Sequence, residues 1–204
     1  ADNSSEKKGS TIRDTGTVAG KIEAIGNGVT KFNIGDKVWG FNDNGFASQA
    51  EYLSIKESEA ITIIPEGIDY NTIVSCGEGA HYAYNFINKV NITKDSKVLV
   101  NGATGAIGSS ALQLLKYYGA TVTAVGNTQN IELIQSLGAN KIFDYQEEDF
   151  TKDLEKYHFI FDAVGKSTFG KCKHLLLPKG VYISSELGPN AENLYLPLTT
   201  KLFG

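Results

Sequence analysis

Residues 97–108 read Lys97-Val98-Leu99-Val100-Asn101-Gly102-Ala103-Thr104-Gly105-Ala106-Ile107-Gly108, and this stretch decides the fold. Three apolar residues with strand character end at Asn101. A turn with glycine at 102, 105 and 108 follows, and then a helical run over 108–118. A strand that enters a glycine turn and leaves as a helix is the opening of a dinucleotide-binding βαβ unit. In such a unit Gly105 lets the backbone approach a pyrophosphate and Gly108 lets helix and strand pack closely. The unpaired N–H groups of the first helical turn meet the phosphate charge. Gly102, Ala103, Thr104, Gly105, Ala106, Ile107 and Gly108 are therefore the first candidate cofactor-binding residues. A tight turn that binds nothing is the alternative, disfavoured because the strand, the helix and the next strand all fall at the spacing this unit needs.

Downstream the same rhythm continues. Strands are expected at 121–125, 141–143, 159–162 and 181–184, with helices at 108–118, 130–137 and 168–177. Such alternation predicts an α/β fold, a doubly wound parallel sheet with helices on both faces and right-handed crossovers. Upstream the pattern changes to short β runs at 18–25, 37–41, 47–55 and 60–64, punctuated by glycine and asparagine turns. Pro65-Glu66-Gly67 closes that segment. A helix-length stretch with apolar residues at Ala80, Tyr84, Ile87 and Val90 leads into the first parallel strand. The organisation expected is a polar tail at 1–14, a β-rich segment at 15–75 and a dinucleotide-binding domain at 76–204.

Composition narrows the function classes. The chain has 204 residues, 41% of them hydrophobic and 21% charged, with a formal net charge of -4. Its lysines and arginines are scattered singly, so it carries no electrostatic footprint for nucleic acid or an anionic membrane. No apolar run approaches the roughly 20 residues that span a bilayer. The N-terminus lacks the apolar core of a secretory signal, and two cysteines are too few for a disulfide framework, so a cytoplasmic location is expected.

The motif stretch, together with Gly119-Ala120-Thr121-Val122-Thr123-Ala124-Val125, Ser136-Leu137-Gly138-Ala139, Phe143-Asp144-Tyr145, Ile160-Phe161-Asp162-Ala163-Val164-Gly165 and Leu175-Leu176-Leu177-Pro178-Lys179-Gly180, resembles the cofactor domain of zinc-free medium-chain dehydrogenases/reductases, the quinone oxidoreductase branch. Upstream, Ala19-Gly20-Lys21-Ile22-Glu23-Ala24-Ile25-Gly26, Gly35-Asp36-Lys37-Val38-Trp39-Gly40 and Ala50-Glu51-Tyr52 extend the resemblance, which runs collinearly from Ala19 to Gly204. It implies a GroES-like β-rich catalytic domain joined to a Rossmann domain, with substrate and nicotinamide meeting between them. It also implies that this chain is short at both ends, and that a full-length parent is a homodimer acting on a small-molecule substrate.

The same resemblance poses the question of zinc. In zinc-dependent alcohol dehydrogenases a Cys-Gly near this place supplies one ligand, which draws attention to Cys76-Gly77. The histidine of their Gly-His-Glu, however, falls on Gly16 in Thr15-Gly16-Thr17. A catalytic zinc needs three protein ligands and a four-cysteine structural site cannot be built from two cysteines, so no metal is expected. Cys76 and Cys172 then read as small buried hydrophobes. His81, His158 and His174 read as surface or packing residues, and Glu147-Glu148-Asp149 as a solvated loop or helix start. Tyr82 and Tyr84 stand before the cofactor strand, where they could line the cleft, although aromatics there more often serve packing. No catalytic residue is named.

Without a Lewis acid, substrates already activated by conjugation suit hydride transfer best, which points to quinones or α,β-unsaturated carbonyls. The alternatives are a zinc-free alcohol dehydrogenase-like reductase and a non-catalytic dinucleotide-binding or interaction module, since a Rossmann fold does not by itself imply chemistry. Val164, Gly165 and Ser184 are assigned to the nicotinamide side; Asn127, Thr128, Asn130 and Tyr145 to the adenosine side. An NAD enzyme places an acid about 20 residues beyond the glycine turn, and here that segment is Gly126-Asn127-Thr128-Gln129-Asn130. NADPH is therefore expected over NADH. The margin is modest, because family members that prefer NADPH often carry Arg or Lys in this segment, and a neutral hydrogen bond is worth roughly half a charge-assisted one.

Overall fold

A computed structural model of the chain describes residues 16–42 and 50–188. The expected tail at 1–14, part of the β run at 47–55 and everything beyond 188 lie outside the described residues. The chain divides between Glu78 and Gly79 into two compact units.

In the first unit, β1 (Gly16–Lys21), β2 (Lys37–Asn42) and β3 (Ile61–Ile63) form an antiparallel sheet with β2 in the middle. Residues 22–25 and 50–55, expected to be extended, are not part of it. A Cβ on Gly40 would stand 2.4 Å from the carbonyl oxygen of Ala60, so only glycine allows the connection into β3 to cross β2 this closely. Among the described residues of this unit, Phe32, Val38 and Ile64 are the buried apolar ones. The helix α1 (Tyr70–Ile87) begins where Asp69 caps it, its carboxylate accepting from Thr72 N at 2.9 Å and from Thr72 Oγ1 at 2.8 Å. Asp69 is held below the usual carboxylate range by those two bonds.

The second unit holds β4 (Lys97–Asn101), α2 (Ala106–Tyr117), β5 (Thr121–Gly126), α3 (Ile131–Ser136), β6 (Lys141–Asp144), β7 (Tyr157–Asp162), α4 (Phe169–Cys172) and β8 (Leu176–Ser184). All five strands are parallel, in the order β6-β5-β4-β7-β8. Because side chains alternate across a strand, Val98 and Val100 enter one core with Val122, Ala124, Phe159, Phe161, Ala83, Leu112 and Leu115. Leu99 enters the other with Ile160, Phe143, Cys172 and Leu175. Val98, Leu99 and Val100 are fully buried, which is why a doubly covered strand reads as an unbroken apolar run. Burial of each such side chain is worth roughly 1.5–3 kcal/mol.

One expected helix is mostly something else. Residues 168–177 form only the four-residue α4, capped by Thr168 Oγ1 accepting from Lys171 N, then a single 3-10 turn over Lys173–Leu175, and β8 starts at Leu176. Pro178 explains it, since a residue before proline is pushed out of the helical region and the proline ring breaks a helix. Lys179 has φ 65°, and the β7–β8 register shifts between Tyr157 and Phe159 at this place.

Candidate cofactor site

The strand order reverses between β4 and β7: chain succession runs outward through β5 and β6, then returns to β7 on the other flank of β4. At such a switch point the connections leave the sheet in opposite directions and open a crevice at the carboxyl ends of the strands. The glycine turn stands there. Gly102 has φ +80°, a left-handed conformation that favours glycine, and a Cβ on it would lie 2.3 Å from Cγ1 of Val164. Gly102 N and Ala103 N both donate to the Val125 carbonyl, at 3.1 and 3.0 Å, tying the turn to β5. A Cβ on Gly108 would stand 2.1 Å from the Gly102 carbonyl oxygen, so α2 packs on the turn with no room for a side chain.

Gly105 differs. Its added Cβ would meet nothing nearer than the Gly102 oxygen, at 3.7 Å, and the residue is exposed. Among the described residues the absence of a side chain at 105 therefore serves no protein contact and leaves an open approach to the start of α2. Gly105 is also the N-cap, without a side-chain cap, and no acceptor among the described residues takes the N–H groups of Ala106, Ile107 or Gly108. An open backbone surface over three orphan donors at the positive end of a 12-residue helix suits a pyrophosphate.

Beyond it, the corner between β4 and β7 is built on Asp162, which is fully buried. Its Oδ1 accepts from Asn101 Nδ2 at 3.0 Å and Val164 N at 3.3 Å; its Oδ2 accepts from Ser167 N at 2.9 Å and the Tyr182 hydroxyl at 3.1 Å. These bonds fix the turn carrying Val164 and Gly165. Burial, reinforced by the Asp162 charge, pushes the Tyr182 hydroxyl pKa far up, so it stays a donor. Gly165 has φ 60° and lies against Glu186, whose Cβ would be 2.3 Å from an added Cβ. The Ser184 hydroxyl donates to the Glu186 carbonyl at 3.0 Å. Asp162 and its partners are what the sequence reading missed; the available signal was a lone acid ending an apolar strand.

On the far side of β5 the four adenosine-side candidates cluster. Asn130 Nδ2 donates to Asn127 Oδ1 at 2.5 Å, and Tyr145, 59% exposed, has its N–H bonded to the Gly126 carbonyl. Thr128 Oγ1 donates to Asp144 Oδ2 at 2.5 Å and also lies 2.9 Å from Gln146 Oε1. Asp144 was not among the expected site residues.

No group of three His, Cys, Asp or Glu side chains gathers among the described residues. Cys76 is exposed, contrary to the buried reading, and lies in a stretch of α1, residues 70–76, with no buried residue. Where a metal-binding histidine would come, β1 offers Gly16, and the neighbouring Thr17 hydroxyl is buried, without a partner, and packed into the notch at Gly77. The histidines are spread apart: His158 Nδ1 accepts from Lys97 N, His174 Nε2 lies 2.7 Å from the Thr151 carbonyl, and His81 bonds Asn85. Of the acids at 147–149, Glu147 lies in a turn and Asp149 caps the 3-10 turn Phe150–Lys152; Asp149 accepts from Thr151 N and Oγ1 and is held below its ordinary pKa by them.

Residues 106–202 match the family described as zinc-binding dehydrogenase. The chain is 30% identical over 158 residues to a 2-methylene-furan-3-one reductase of Solanum lycopersicum, covering 73% of this chain and 40% of that protein. It is 30% identical over 157 residues to the chloroplastic NADPH-dependent alkenal/one oxidoreductase of Arabidopsis thaliana, covering 72% and 40%. The quinone oxidoreductase structure from Coxiella burnetii superposes with a TM-score of 0.75 at 25% identity, over 91% of this chain and 59% of that one. The chain thus spans about two fifths of the length of the curated relatives it matches. No helix among the described residues is long and apolar enough to cross a membrane.

Proposed function

Because this chain belongs to the medium-chain dehydrogenases/reductases, with quinone and alkenal oxidoreductases among its homologues, we propose that its protein reduces a quinone or an α,β-unsaturated carbonyl with NADPH. The observation that carries this reading is the open Gly105 surface over the unpaired N–H groups of α2 at the switch point. Those N–H groups hold the pyrophosphate. Asn127, Asn130 and Tyr145 receive the adenosine end, and the turn at Val164 and Gly165, fixed by Asp162, borders the nicotinamide end with Ser184.

When bound, the nicotinamide supplies a hydride to an electron-poor carbon. The chain's own part is to orient and to exclude water. The hydrogen-bonded corner at Asp162 keeps the Val164 turn in one place, and productive geometry of this kind is worth far more than any single contact. We assign the reduction to substrates whose carbonyl is already activated by conjugation and needs no metal. The parts proposed as domains are 15–75 and 76–204. A homodimeric, cytoplasmic parent acting on a small molecule is part of the same proposal, although one relative is named as chloroplastic.

Turnover of NADPH by the full-length protein tests it. A small para-quinone and a conjugated enal should each be reduced, while a saturated ketone should not. Reduction of the saturated ketone alone would overturn the substrate assignment.

A further inference from the structure

Parallel pairing of β5 with β6 sets Gly126 opposite Asp144. This puts a carboxylate beside the end of the second strand, where dinucleotide folds meet the adenosine ribose, even though no acid occupies that stretch of β5 itself. The hydrogen bonds give the acid a definite task. A hydroxyl has one proton, and that of Thr128 is taken inside the protein by Asp144 Oδ2 at 2.5 Å, with Gln146 Oε1 a second acceptor at 2.9 Å, while Asp144 Oδ1 accepts from Gln146 N at 3.0 Å. Thr128 Oγ1 therefore faces outward only as an acceptor. That suits a ribose 2′-hydroxyl, which can donate, and not a 2′-phosphate, which is all acceptor at neutral pH. Asn130 has already given one N–H to Asn127. The candidate residues that keep a donor for a phosphate, Asn127 Nδ2, the second N–H of Asn130 and the Tyr145 hydroxyl, are all neutral. No lysine or arginine occurs between 126 and 140, and none among the described residues forms an ion pair with Asp144.

We propose that Asp144, through Thr128, is the residue that sets the choice between NADPH and NADH, holding the preference for the phosphorylated cofactor to a small factor. The inference rests on the cofactor reading given above and deepens it. Asp144→Asn keeps the bond from Gln146 N, removes the charge and turns an N–H toward Thr128 Oγ1. The threonine proton then turns to Gln146 Oε1, 2.9 Å away, so the substitution acts through the lost charge. At the separations available across one side chain, loss of the repulsion raises the ratio of NADH to NADPH dissociation constants by roughly tenfold.

Fluorescence titration of both reduced cofactors against the purified wild-type chain and Asp144→Asn, with melting curves for both, decides it. The expected result is equal folding and a ratio roughly tenfold higher in Asp144→Asn. A second measurement needs no variant: raising ionic strength from about 0.05 to 0.5 M should increase the wild-type ratio, because salt screens the repulsion. Wild-type binding of NADPH with a ratio unmoved by both the substitution and salt overturns the role of Asp144 and leaves the site standing. Binding of neither cofactor overturns the site and this inference together. Should Asp144→Asn not fold, the salt series alone decides: a rising ratio supports the proposal and a flat or falling one overturns it.

Discussion

Gly105 and Gly108, three residues apart in one turn, should respond to the same substitution in opposite ways. In Gly108→Ala the new Cβ stands 2.1 Å from the Gly102 oxygen, 2.8 Å from its carbonyl carbon and 3.0 Å from Ala103 Cα. All are backbone atoms that no rotamer change can move. Contact needs roughly 1 Å more, so α2 must slide on the turn, and overpacking of this kind costs about 1–3 kcal/mol. In a chain of 204 residues that lowers Tm by roughly 2–12 °C, at about 2–4 °C for each kcal/mol. The same displacement moves the Gly108 and Ile107 N–H groups, so NADPH binding falls by about 100-fold. In Gly105→Ala the Cβ finds only an oxygen at 3.7 Å, and φ is -74°, which alanine adopts freely. Lower chain entropy in the unfolded state favours the alanine by about 0.4–1 kcal/mol, its poor N-capping opposes it by a similar amount, and Tm stays within about 2 °C. The methyl group nevertheless occupies the approach to the donors, and NADPH affinity drops at least about tenfold. Differential scanning fluorimetry with cofactor titration reads both quantities. If Gly105→Ala binds NADPH like wild type, the open surface at 105 is not where the pyrophosphate lies, and the reasoning fails.

Asp162→Asn preserves volume but turns an NH2 toward two of the four donors now served, so stability should fall by about 2–3 kcal/mol in urea; an unchanged midpoint would refute the structural role given to Asp162. The Tyr182 pKa is raised above its ordinary 10.0 by burial and by Asp162. Its contribution to stability is therefore complete below about pH 10 and is lost as pH rises further, and Tyr182→Phe should flatten the alkaline limb of a stability profile. Asn127→Asp can still accept from Asn130 Nδ2 and so should fold normally, yet it adds a negative charge beside the 2′ position; it should weaken NADPH by about tenfold and leave NADH nearly unchanged, as paired titrations would show. Equal losses for the two cofactors would place the 2′ group elsewhere.

What the sequence revealed and what it hid divide along physical lines. β4 and the glycine turn were legible because everything they need is local: an apolar run buried on both faces, then glycines whose separate tasks follow from backbone geometry. The strand at Leu176 was hidden because Leu175, Leu176 and Leu177 satisfy helical and extended periodicity alike. Pro178 was the signal that should have arbitrated. The start of α1 at Tyr70 was likewise written in its cap, Asp69, and not in the apolar spacing of residues 80–90 that drew attention. Asp144 was out of reach: it is 16 residues from Thr128, and only the β5–β6 register makes them partners. Asn127, Thr128 and Asn130 were found as neighbours of the site, but their bonding was not, and it is the bonding that removes the Thr128 hydroxyl from the list of phosphate donors.

The central claim is that a dinucleotide lies across the carboxyl ends of β5, β4 and β7, with its pyrophosphate at the start of α2. Backbone amide mapping by NMR during an NADPH titration tests it most directly. The account requires the largest shifts at Ala106, Ile107 and Gly108, with further shifts at Asn127, Asn130 and Val164 and none at Lys97, Thr121 or Lys141 on the opposite ends of the strands. Shifts concentrated at that opposite end, or saturable binding that leaves the amides of 106–108 unmoved, would contradict it.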